Sequence, residues 1–478
     1  MDSPDASPTP SPGPAGPPEE PTVHGSTEPS TASTDGASST PVDGVDRQIV
    51  RLAVPALGAL VAEPLFVLVD SAIVGRLGTE PLAGLALAST VLVTMVGLCV
   101  FLAYATTAAV ARRLGAGDTR AALQTGVDGL WLAVGLGVVL AAATWVAAPW
   151  VVGALGADGG VAAQAVTYLR WSLPGLPGML LVLAATGALR GLLDTRTPLV
   201  VAAAGAVANA VLNVALVYGA GMGIAGSGLG TAVAQIGMAV ALVVVVVRGA
   251  RRHGAQLRPA AGGILANVRA GVPLLVRTAT LRVAILVTVW VATGLGGASL
   301  AAHQVAMSVW GLTAFALDAL AIAAQALVGH SLGASDVART RALLRRTLQW
   351  GVAAGAVMGV LVGALAPAYV RLFSTDPDVQ RAATAALVVA AVTLPMAGWV
   401  FVLDGVLIGA GDGRYLAWAG VLTLVAYVPA ALAVHAWAPA DATGLAWLWI
   451  AFAGVFMAAR AVTTGWRARG TAWMVTGA

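Results

Sequence analysis

Lysine is absent from this chain, cysteine occurs once, and charged residues of every kind make up only 10% of the sequence. Soluble domains carry roughly a quarter of their residues as charges, so an ordinary water-soluble fold is excluded. Without lysine there is no Walker P-loop, and neither HExxH nor a paired CxxC occurs, which removes nucleotide hydrolysis and zinc-dependent chemistry of those kinds. Cys99, alone in an apolar run, forms no internal disulfide. The spacing Gly221-x-Gly223-x-x-Gly226 spells a dinucleotide fingerprint, but it lies between two long apolar runs, where no strand–helix unit can form.

Hydrophobic residues fill the space that charge leaves, at 58% of the 478 positions and a mean hydropathy of +0.86. Twelve apolar runs, from 50–75 to 443–465, are long enough at 1.5 Å per residue to cross about 30 Å of hydrocarbon. The expected fold class is an all-α polytopic membrane protein. Those runs fall into two copies related by a constant offset of 218 residues. Val54-Pro55 returns as Val272-Pro273, Leu114-Gly115-Ala116 with Asp118 as Leu332-Gly333-Ala334 with Asp336, and Asp194 and Arg196 as Asp412 and Arg414. Tandem hydrophobic copies are the signature of a secondary transporter, whose halves rock about a site between them.

All 26 basic residues are arginine. Arg112, Arg113 and Arg120, then Arg190 and Arg196, Arg248 to Arg258, Arg339 to Arg346, Arg414, and Arg467 and Arg469 follow even-numbered runs, whereas the opposite loops hold Arg76, Arg371 and Arg381. Positive charge stays on the cytoplasmic side, so both termini are expected there, in the cell membrane, with two parallel six-helix lobes related by a pseudo-two-fold axis along the membrane normal. The expected domains are an acidic, disordered Pro/Ser/Thr-rich tail at 1–46, lobes at 47–258 and 259–469, and a short cytoplasmic tail at 470–478. The first segment holds eight acids and no arginine, which leaves the remainder near +12, a bias read as topology and lipid attraction, not nucleic-acid binding.

Ionisable groups inside apolar runs are costly and mark pathways. Here they are Glu63, Asp70, Arg277, Arg282, Asp318 and Asp404. Counting along helices puts Asp70 roughly 22 Å from the inner end, Asn209 and Asn213 at roughly 18 and 24 Å, and Thr231 about 8 Å below the outer edge. One carboxylate, two amides and a hydroxyl thus meet at one depth, a set suited to H⁺ or Na⁺. Glu63 shares the face of Asp70 and is a further protonation candidate. The positions 218 residues on, Thr288, Tyr427, Ala431 and Trp449, hold no acid, so the coupling site belongs to the first lobe. Depth also pairs Arg277 with Asp404 and Arg282 with Asp318, as buried or gating ion pairs. His303 is expected to hydrogen-bond across a helix interface.

The runs EPLFVLVDSAIVGRLG at 63–78, LRGLLDTRTP at 189–198, and LAAHQVAMSVW with ALDALAIAAQALVGHSLGA in the eighth helix resemble the multidrug and toxic compound extrusion (MATE) transporters, nearest the DNA-damage-inducible F branch, over about 47–469. The resemblance implies export of organic, often cationic and amphipathic compounds in exchange for H⁺ or Na⁺, a cation site at Asp70, Asn209, Asn213 and Thr231, and a kink at Pro55. Asn213 stands where many relatives carry a second acid, and Arg282 lies near the position of a missing helix-7 acid, so H⁺ is expected ahead of Na⁺. The expectation is a monomer with no organic cofactor and no resident metal, whose partners are a small organic substrate and the bilayer. A flippase for lipid-linked precursors, using Arg277 and Arg282 on a pyrophosphate, is the nearest rival. An intramembrane enzyme lacks a polar catalytic pair.

Overall fold

The computed structural model describes residues 41–477. Twelve of its helices are long and apolar enough to cross a bilayer: α1 Gly44–Leu77, α2 Thr79–Gly115, α3 Thr119–Ala154, α4 Gly159–Gly191, α5 Arg196–Gly219, α6 Ile224–Arg252, α7 Ala261–Gly294, α8 Gly297–Gly333, α9 Val337–Phe373, α10 Pro377–Gly409, α11 Gly413–Trp437 and α12 Ala442–Arg469. No strand occurs among the described residues. Helical turns already begin at Pro41, inside the segment whose composition predicts a tail; residues 1–40 lie outside the described set. Apolar side chains that would be costly in water stand on the outer surface, Trp150 at 76% and Trp437 at 85% exposure among them. That outer face is matched to lipid, and the backbone polar groups beneath it are closed within helices.

The repeat is visible in backbone detail. At the end of α2, the amides of Ala116, Gly117 and Asp118 bond the carbonyls of Arg112, Leu114 and Arg113; at the end of α8, Ala334, Ser335 and Asp336 bond His330, Leu332 and Ser331 in the same order. Asp118 then caps α3 through the Ala121 amide at 2.7 Å, and Asp336 caps α9 through Arg339 at 2.8 Å. Left-handed residues recur at the same offset, Gly117 with Ser335 and Gly78 with Gly296. Two sequences that need the same turns fold into equivalent six-helix lobes. Pro55 and Pro64 lie within α1 and Pro273 within α7, where each removes a ladder hydrogen bond and weakens the helix locally.

Each lobe has its own core, around Leu85, Leu92, Leu169 and Leu173 in the first and Leu387, Tyr427, Leu448 and Trp449 in the second. A third cluster is shared: Phe101, Leu102 and Val110 of α2 pack with Leu327, Val328 and Val406 of the second lobe. The lobes are thus joined at their arginine-rich ends. There α2 and α8 cross with backbones in contact, since a side chain at Gly115 would meet the His330 carbonyl and one at Gly333 the Arg112 carbonyl. Gly115→Val is therefore expected to overpack this crossing by roughly 1–3 kcal/mol. The check is the thermal unfolding midpoint in detergent, lowered for Gly115→Val and unchanged for Gly135→Val, where nothing lies within 4 Å of an added Cβ.

Residues 470–477, expected as a short tail, pack against the helix ends. Trp473 is 1% exposed, the Gly477 amide bonds Leu332, and the Arg112 guanidinium donates to the carbonyls of Val475 and Gly477 and, at 2.7 Å, of Ala410. The reason is local: the end of α8 leaves the Leu332 carbonyl, and Arg112 of α2 leaves guanidinium donors, that this segment meets.

Candidate functional site

Asp70 of α1 is buried, and everything bonded to it is neutral. Asn209 of α5 donates to its Oδ1 at 2.8 Å, and Asn213, one turn further on, donates to the same oxygen. Thr231 of α6 donates to Oδ2 at 3.2 Å, and the Tyr168 hydroxyl of α4 reaches Oδ2 at 3.4 Å while sharing a hydrogen bond with Thr231. Four residues expected from the sequence are therefore brought together, and Tyr168 is added. Tyr168 was legible only as a hydroxyl about 14 Å along a helix starting at Gly159, a depth that fits the cluster but selects no direction around the helix.

Local backbone departures build this site. Gly230 carries no Cβ, which lets Asn213 approach α6, since an added Cβ would strike its Oδ1. Just past Asn213, α5 widens into a π-turn at Ala215–Gly219, and Tyr218 from that turn donates to the Ile73 carbonyl of α1 at 2.5 Å. Such turns are frequent at functional sites because they re-aim side chains within a helix. The amide oxygens of Asn209 and Asn213 point away from the carboxylate and have no hydrogen-bond partner. One formal charge thus sits among donors. Glu63 is part of α1, but its side chain lies outside the described residues.

The equivalent position in the second lobe is neutral and closed. Thr288 and Tyr427 share a 2.6 Å hydrogen bond, and Trp449 fills the place of Thr231 amid Trp310 and Phe452. His303 is not the hydrogen-bonding interface residue expected. Both ring nitrogens and the Trp449 indole nitrogen lack partners, because α8 presents His303 to an aromatic cluster and not to a polar neighbour.

Of the two depth-matched pairs, one forms. Arg277 Nη2 lies 2.6 Å from Asp404 Oδ2, and Arg460 of α12, which sequence depth did not bring in, binds the same oxygen. Arg282 does not pair with Asp318. Five residues on from Arg277, it projects about 140° around the helix, and its guanidinium packs over Gly97 of α2. Asp318 instead accepts from the Tyr104 hydroxyl, at 3.4 and 3.5 Å, across the lobe boundary. The missed Asp128 is structural: it holds the linker before α7 through the Ala260 amide and accepts from Gln124.

Asp70, Tyr168 and Thr231 line a cavity of 250 Å³ that also touches Tyr104, Arg190 and Asp318; neither Arg277 nor Arg282 lines it. The run Gly329-His330-Ser331-Leu332-Gly333 has the spacing of a nucleophile elbow, yet it is continuous helix, and buried Ser331 donates to the Asp336 carbonyl. A strained strand-to-helix turn, which that chemistry needs, is missing there.

The MatE family model matches this chain twice, over residues 55–215 and 273–432, and the two starts are separated by the same 218 residues. Protein DETOXIFICATION 44, chloroplastic, of Arabidopsis thaliana is 29% identical over 435 residues, covering 88% of this chain and 82% of its own. DNA damage-inducible protein F of Escherichia coli is 27% identical over 373 residues, covering 76% and 81%. The crystal structure of the Vibrio cholerae MATE transporter VcmN in its bent form superimposes with a TM-score of 0.81 at 22% identity, over 90% of this chain and 97% of that one, a likeness of fold.

Proposed function

The chain belongs to the MatE family of multi-pass membrane transporters, and from that premise we propose that it exports organic amphipathic compounds in exchange for H⁺ by alternating access. The observation that carries this reading is the Asp70 carboxylate, buried beside the cavity with only neutral partners. A proton arriving there removes the one formal charge and relaxes four hydrogen bonds to α1 together. That helix carries Pro55 and Pro64, so it can repack at low cost and narrow the cavity, releasing substrate outward.

H⁺ is favoured over Na⁺ because the cluster of Asp70, Asn209, Asn213 and Thr231 holds a single carboxylate, with Asn213 where a second acid would add the charge a Na⁺ site uses. Lobes joined at the arginine-rich end correspond to the state open on the opposite side. With that end cytoplasmic, both termini are cytoplasmic, the protein resides in the cell membrane as a monomer, and substrate leaves the cell. The flippase reading loses support, since Arg277 and Arg282 do not line the cavity.

Purified protein in liposomes, loaded with fluorescent amphipathic organic compounds, one cationic and one zwitterionic, tests this. An imposed pH gradient is expected to drive efflux and a Na⁺ gradient to have no effect. Efflux driven by Na⁺ overturns the choice of ion, and movement under neither gradient overturns the export reading.

A further inference from the structure

The central cavity has a second polar end that the Asp70 cluster does not use. Tyr104 of α2, Arg190 of α4 and Asp318 of α8 form it. Counted from the helix ends opposite the arginine-rich loops, Asp70 lies roughly 10 Å along α1 and Asp318 roughly 32 Å along α8, so about 20 Å separates the two ends. The wall between them is mostly apolar, with Leu60, Phe66, Val96, Met179 and Leu183, and is interrupted by Ser89, Thr186 and Gln235.

Arg190 is unlike the other buried arginine. Arg460 and Arg190 are 7% and 8% exposed, and Arg460 is bound to Asp404. The Arg190 guanidinium makes no hydrogen bond and no ion pair with any described residue, although it feels the charge of Asp318. A guanidinium presents five donors in a rigid fork that fits a carboxylate, and here the fork opens on the cavity, where an anionic group of a ligand can meet it. Asp318 is under-bonded as well, with only the Tyr104 hydroxyl at long range. The two groups come from different lobes and have no equivalents at the repeat offset, where Ile408 and Val100 stand.

We propose that Arg190 and Asp318 are a specificity-determining pair that reads a zwitterionic head group. Arg190 takes an anionic group of the substrate, Asp318 takes its neighbouring ammonium, and the apolar body lies along the wall toward Asp70. Such a ligand satisfies both charges at once and bridges the lobes. A simple cation leaves the guanidinium unbonded and adds a like charge beside it; a simple anion leaves the carboxylate uncompensated. The inference rests on the export reading only in taking this cavity as the substrate path.

Three probes sharing one aromatic fluorophore decide it: one with an ammonium and a carboxylate, its methyl ester as the cation, and the carboxylate alone. Equilibrium binding to the purified full chain in detergent is read by fluorescence anisotropy, independently of transport. Wild type is expected to bind the zwitterion at least about tenfold more tightly than either relative, the scale on which a site built for a charged group rejects its absence. Arg190→Gln weakens the zwitterion and, by removing a like charge, tightens the ester, so that the two bind at one level; Asp318→Asn weakens zwitterion and ester together. Wild type binding the ester or the anion as tightly as the zwitterion overturns the proposal, with no variant needed. So does an Arg190→Gln protein weakened equally toward all three, the mark of a packing role. Should the expected ranking appear without proton-driven transport, the export reading fails and the head-group site stands.

Discussion

Asp70→Asn is expected to abolish proton-driven accumulation while the protein still folds and still binds substrate. Asparagine keeps the shape of the carboxylate, its Oδ1 can still accept from both amides and its Nδ2 can donate to the Thr231 or Tyr168 hydroxyl, so the packing of α1 against α4, α5 and α6 survives. What it lacks is a second charge state. One unit of pH gradient is worth about 1.4 kcal/mol per proton, a tenfold concentration ratio, so a two-unit gradient sustains up to roughly 100-fold accumulation per exchanged proton in wild type. In Asp70→Asn the ratio is expected to fall to about 1, because no group in the cluster carries the proton across. The measurement is the steady-state probe ratio across proteoliposomes at fixed pH gradient, with the two proteins matched for binding. A ratio that still follows the gradient in Asp70→Asn moves the coupling role elsewhere, with Glu63 the first residue to examine.

The second large effect falls on stability. Asp404→Asn removes the single anion that holds Arg277 and Arg460, whose side chains are 13% and 8% exposed. Two like charges are then left facing one another in a dry site, and removal of one partner from such a buried group costs on the order of 3–5 kcal/mol. The expected result is a strongly lowered unfolding midpoint in detergent and poor recovery from the membrane. Replacing all three groups by apolar side chains of similar volume restores the midpoint, since the unpaired charges leave together with the bonds. Transport by the triple variant separates the two roles. Activity near wild type means the triad is structural, and a stable protein without activity means that the pair opens and closes during the cycle.

Much of the proposed coupling site was legible in the sequence because its members are polar residues in apolar runs, and the helical rise converts residue number into depth. Asp70, Asn209, Asn213 and Thr231 share a level by that arithmetic, and they share hydrogen bonds in the structure. Tyr168 and Arg460 escaped it for opposite reasons. A tyrosine among apolar residues is an ordinary core residue on sequence grounds, and Arg460, near the end of the final run, resembles the basic residues that close membrane helices.

Depth alone did not settle partners: it paired Arg277 with Asp404 as the structure does, but not Arg282. Arg282 and Asp318 share a level, but Arg282 turns toward Gly97 and Asp318 toward Tyr104. Periodicity and composition determined the helix count, the repeat and its offset, and the level of each buried polar group, because these depend on one chain direction and a constant rise. Only the tertiary structure decided which groups at one level face each other. That choice is set by the rotation of each helix about its axis and by close approaches at residues such as Gly115, Gly230 and Gly333, where the absent Cβ lets one particular neighbour in.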